Sequence, residues 1–185
     1  TLSPRVEMRY MIPAIGHPDR PHFDVLAEVL SEVMKDMLQS TKISGSVNVN
    51  TRVVHTSRFG VPATMNIEVV LANENDLPVC ERVMLDVFDR IQRETIAREK
   101  LQMAKKRLRT AWYRTALSAD RLAFEIGHFQ VMDHWSTLKK HLDARETTTV
   151  DDLQRLAKQY FIPKNRSVGI VRKPEHALNG KEVVR

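Results

Sequence analysis

The chain has 185 residues, a formal net charge of +6, 42% apolar side chains and 28% charged ones. That length suffices for one domain with a continuous core, and the balance of apolar and charged residues excludes a disordered chain. No apolar run approaches the ~20 residues of a membrane-spanning helix, and a single cysteine, Cys80, excludes an internal disulfide and a cysteine zinc cluster.

Val6, Met8, Tyr10 and Ile12 alternate with Glu7, Arg9 and Met11, the period-two pattern of a strand with one buried face. Pro13 ends it, and Gly16-His-Pro-Asp19 supplies turn chemistry. From Asp19 or Arg20 a helix begins with Pro21 in its first turn, where a missing N–H is tolerated. Phe23, Leu26, Leu30, Val33, Met34, Met37 and Leu38 form its inward stripe. Val47, Val49, Thr51 and Val53, then Met65, Ile67, Val69 and Leu71, mark two more strands. The link His55–Pro62 could pair them as antiparallel neighbours.

Asn73-Glu-Asn-Asp-Leu-Pro78 stops the strand and caps a helix with Cys80, Val83, Met84, Val87, Phe88 and Ile91 inward. A longer helix is predicted from about Ala97 to Leu117, with Leu101, Ala104, Leu108, Ala111 and Trp112 inward. Ser118 caps the next, which carries Leu122, Ala123, Ile126 and Phe129. Thr149-Val-Asp-Asp152 resembles a capping box and opens a helix through Leu153, Leu156, Ala157 and Tyr160. After Pro163, Val168 and Ile170 belong to a last strand, and residues beyond Lys173 read as a mobile tail. The expected order is β-α-β-β-α-α-α-α-β. It implies an α+β domain over residues 1–173, a mixed and mainly antiparallel sheet with helices packed on one face, and a tail or linker over 174–185.

Candidate sites are sparse. His17 and His22, with Asp19 and Asp24 nearby, have the residue types for zinc, but Pro18 and Pro21 keep the two imidazoles in separate local structures. Glu125-Ile-Gly-His128 has the Glu-x-x-His spacing of di-iron bundles, which need that motif twice. Trp135, after Asp133 and His134, is expected to bury its ring at a helix corner. Met8, Met11, Met34 and Met37 are expected to fill the sheet–helix interface. The cations of Lys100–Arg114 read as the wet side of a long helix, with no interleaved stacking residues to suggest nucleic acid. Cys80, on an apolar helix face, reads as a small buried side chain, and one cysteine suits either cytosol or bacterial periplasm.

The opening Arg5-Val-Glu…Tyr10-Met-Ile-Pro13, the turn Gly16-His-Pro-Asp19, the stretch Glu99-Lys-Leu-Gln-Met-Ala-Lys105 and the continuous run Ser118–Val171 together resemble a half-domain of the M16 zinc peptidase family. This is the family of insulinase and mitochondrial processing peptidase. The likeness runs from about Arg5 to Lys173 and is most specific to the non-catalytic half of the bacterial zinc proteases. Catalytic halves carry His-x-x-Glu-His on an early helix. Here the matching helix, Pro21–Ser40, has no histidine after His22.

The resemblance therefore implies a chain with no catalytic residue, no metal ligand and no cofactor of its own. Zinc would sit in a catalytic half elsewhere in the parent polypeptide or in a partner subunit. The implied role is the chamber wall opposite that half, with a peptide substrate enclosed between. A purely architectural subunit, like the core proteins of the bc1 complex, is the alternative. Several family members present an Arg and a Tyr to the substrate backbone. The matching positions here are Gln39 and Ser46, so that role does not carry over and the substrate-binding residues stay unassigned.

Overall fold

The computed structural model describes residues 3–41, 43, 48–54 and 62–172. Among them, four strands and six α-helices follow in the order β1 (Arg5–Ile12), α1 (Arg20–Gln39), β2 (Asn48–Val54), β3 (Ala63–Val70), α2 (Leu77–Arg93), α3 (Arg98–Ala116), α4 (Ala119–Met132), α5 (Thr137–Thr147), α6 (Val150–Tyr160) and β4 (Arg166–Val171). The expected division after residue 173 and the expected tail over 174–185 lie outside the described residues.

The strands form one sheet in the order β2-β3-β1-β4. The expected α+β class holds, and every pairing among the described residues is antiparallel. Register follows from alternation. Met8 lies opposite Ile67 on one side and Val168 on the other, so the apolar residues of β1 and β3 share a face. On that face Val6, Met8, Tyr10, Met65, Ile67 and Val69 are completely buried under the helices. α1 contributes Phe23, Leu26, Leu30 and Met34, also fully buried and each stabilising by about 1.5–3 kcal/mol. Tyr10, Phe88 and Phe161 close the core with tilted rings 4.8–5.0 Å apart.

The caps read from sequence are formed. Asn73 Oδ1 accepts the Asn75 N–H, and Ser118 Oγ accepts the Arg121 N–H. Thr149 and Asp152 make both bonds of a capping box, at 2.9 and 3.1 Å.

Four expectations change. α5 is a helix the apolar pattern does not announce, because its buried contact is His141 rather than an aliphatic stripe. Trp135 is 57% exposed instead of anchoring a corner. Its backbone N–H donates to Gln130 Oε1, while the indole lies against His134. Met11 sits on the sheet face away from the helices and is exposed, whereas Met8 and Met34 do fill the interface. In α3 only Leu101 and Ala104 are buried, and in α4 only Phe129 and Met132. Ala111, Ala123 and Ile126 face solvent.

Candidate functional site

A buried ion cluster joins α1 to α5. Asp24, one turn after Arg20, accepts from Arg20 Nη1 at 2.8 Å through Oδ1. Its Oδ2 accepts from Arg145 Nε at 2.8 Å and from His141 Nε2 at 2.7 Å, with Arg145 Nη2 on the same oxygen. Arg20 and His141 are almost fully buried. Burial alone would raise the Asp24 carboxyl, but the Arg20 and Arg145 guanidiniums and the His141 bond outweigh it and hold it well below the usual range. Asp24 is therefore a carboxylate, and His141 Nε2 carries the proton it donates. Burial pushes His141 below its ordinary value, and the two arginines add to that; the Asp24 bond opposes it without prevailing.

A second polar node surrounds the turn before α1. Arg155 donates to Asp19 at 2.7 Å, and that bond chiefly lowers the Asp19 carboxyl. His17 Nδ1 accepts the Asp19 N–H. His22 Nδ1 lies 2.8 Å from Thr148 Oγ1, whose own proton goes to Ala144 O, so His22 is the donor. His17, His22, Asp19 and Asp24 are thus committed to separate structural bonds. They do not fit a zinc site. Among the described residues no three His, Cys, Asp or Glu side chains gather as a metal would require.

Glu125 and His128 do share a surface. They line a cleft of about 410 Å³ with Asp24, Glu28, Thr51 and His141. The His128 ring stacks on Phe124 at 6.2 Å with only 10° between planes. The basic stripe of α3 is largely tied down. Lys100 pairs with Asp36, Arg107 with Glu32 and Arg109 with Glu146, while Lys105 donates to the Glu146 carbonyl. Gln39 is exposed at the end of α1, and Ser46 lies outside the described residues. Cys80 is buried, and its thiol is pushed up to about 12, mainly by burial.

The other broad surface is the open face of the sheet. Glu7, Arg9 and Met11 of β1 lie there beside Thr64, Asn66 and Glu68 of β3, with Asn48 and Asn50 of β2 and Ser167 of β4 beyond. This face is mostly polar, with Arg9, Met11, Asn48 and Asn50 exposed and Asn66 buried. Sequence reasoning located Glu7, Arg9 and Met11 by alternation but attached no role to them. The α1–α5 cluster was missed because it joins positions more than a hundred residues apart, with no local spacing to mark it.

No family model matches the chain, and no curated protein matches it. Solved structures do. A candidate zinc protease from Bordetella pertussis Tohama I aligns with a TM-score of 0.80 at 21% identity, over 94% of this chain and 96% of that one. The inactive peptidase domain of a candidate zinc protease from Bordetella parapertussis aligns at 0.80 and 22%, covering 96% of each chain. A candidate M16-like peptidase from Alicyclobacillus acidocaldarius aligns at 0.66 and 10%, over 92% of this chain but only 41% of that longer one. The chain has the fold of an M16-type peptidase half-domain.

Proposed function

We propose that this chain is a half-domain without a peptidase centre of its own, forming the wall opposite a zinc-bearing half in an M16-type metallopeptidase. The companion half lies in the same polypeptide or in a partner subunit, and the peptide being cut is enclosed between them. One observation carries this reading: the half-domain fold joined to a sequence with no His-x-x-Glu-His. Zinc in the companion would supply Lewis acidity and an activated water. This chain would supply its polar sheet face, on which the exposed Arg9 and Asn50 offer hydrogen bonds to a peptide. An architectural subunit without proteolytic work is the second reading, favoured by Gln39 standing where the resemblance implies an arginine.

The test is a peptidase assay on the purified chain titrated with zinc, using a mixture of unstructured peptides. No hydrolysis is expected. Cleavage by this chain alone that a chelator abolishes would overturn the reading. Substitution of Arg9 in the complete protease separates the two roles: a wall domain predicts a raised KM, and an architectural one predicts unchanged kinetics.

A further inference from the structure

We propose that the cleft between α1, β2, α4 and α5 binds a guanidinium group, either of free arginine or of an arginine side chain presented by an extended peptide. This cleft lies on the helix side of the sheet, so the inference stands apart from the chamber role assigned to the opposite face.

The argument begins with the hydrogen-bonding groups the fold leaves unused. Glu28 of α1 and Glu125 of α4 line the cleft, and neither has a hydrogen bond or ion pair with a described residue. Arg107 feels the charge of Glu28 but is itself bonded to Glu32. His141 is 3% exposed and also lines the cleft. Its Nε2–H is spent on Asp24, which makes Nδ1 an acceptor, and Nδ1 has no partner. The Thr51 hydroxyl, on the β2 side, is likewise buried without one. Three of these four groups can only accept. A buried acceptor left unmade costs about 1–3 kcal/mol, so a ligand rich in donors is the one this wall rewards.

Charge and shape narrow the class. Among the described residues the lining holds the carboxylates of Asp24, Glu28 and Glu125; Arg20 and Arg145 both pair with Asp24, which leaves Glu28 and Glu125 as the negative charges facing the cleft. Phe124, 72% exposed, stacks on His128 and leaves its ring open to a planar cation. A guanidinium combines planarity with five donors, whereas an ammonium offers a compact point charge and three. About 410 Å³ is in the range of small-ligand sites and accommodates one arginine side chain.

The experiment titrates the full chain with the blocked tripeptide acetyl-Gly-Arg-Gly-amide, its citrulline counterpart and free L-arginine. Calorimetry gives affinity, and backbone amide NMR shifts give location. Saturable binding is expected with shifts centred on Thr51, Phe124 and Glu125. The neutral citrulline isostere should bind at least about tenfold more weakly, as loss of one charge-assisted bond implies. The same loss is expected for the arginine peptide on E28Q/E125Q, whose thermal melt should match the parent's because both side chains reach solvent. Tighter binding of the tripeptide than of L-arginine identifies a presented side chain, and equal binding identifies the guanidinium alone; both support the site. Absence of saturable binding, equal affinity for citrulline, or an unchanged E28Q/E125Q would each overturn it.

Discussion

Asp24→Asn isolates the ion cluster that pins α5 to α1. The carboxylate takes four contacts from three donors, and two of those donors, Arg20 and His141, are almost fully buried. The asparagine keeps the shape and one acceptor oxygen but loses the charge, and it turns an amide N–H₂ toward groups that are themselves donors. Arg145, about one quarter exposed, can swing toward water. Arg20, at 1%, cannot. The expected cost is that of breaking a buried ion pair from one side, about 3–5 kcal/mol. For a chain of this size it corresponds to a fall in Tm of about 6–20 °C. Urea unfolding followed by far-ultraviolet circular dichroism would measure it, with Arg20→Met/Asp24→Asn completing a double-mutant cycle. The double variant should recover most of the loss, because a buried guanidinium deprived of its Asp24 carboxylate is what makes the single change expensive. A loss under about 1 kcal/mol for Asp24→Asn, or a double variant less stable than the single one, would show that the cluster is not what holds α5 in place.

Three further outcomes follow from the same geometry. His141 has a folded-state value below its unfolded one, so the unfolded chain binds more protons between the two; its contribution is complete above the unfolded value near 6.5 and declines as pH falls below it. Urea midpoints at pH 7 and pH 5 should therefore differ more in the parent than in His141→Gln, and parallel shifts would contradict this. Thr149→Ala removes one bond of the capping box and should cost about 0.5–2 kcal/mol in the same urea titration, with the m-value unchanged. Cys80 should resist Ellman's reagent at pH 8 in the native chain and react at once in urea, since burial keeps its thiol protonated up to about 12; rapid native labelling would place it outside the core.

Much of the architecture was readable because it rests on local regularities. β1 and β3 alternate cleanly, α1 and α2 carry wide apolar stripes, and the caps at Asn73, Ser118 and Thr149 use side chains that announce themselves. α5 escaped because Thr137–Thr147 holds only Leu138 and Leu142 as large aliphatic residues, and its anchors are a histidine and an arginine. Polar anchoring has no periodic signature. The stripe Leu108–Ala111–Trp112 was legible as amphipathic, yet periodicity says only that a face is apolar, not that this chain covers it. The cleft around Glu125 and His128 shows the same limit: their spacing placed them on one helix face, but Glu28, Thr51 and His141 come from three other elements.

The strand order has a consequence for how the molecule is made. β1, the first of the four described strands in chain order, occupies an interior position and pairs on one side with β4, so Tyr10 meets Arg166 across more than 150 intervening residues. Bringing such distant partners together is entropically slow. Until synthesis reaches that last strand, one flank of β1 stays unsatisfied, with a row of amides open to any passing extended segment. A nascent chain of this design has reason to depend on a chaperone, and any expression boundary drawn before the end of β4 turns β1 from an interior strand into a raw edge.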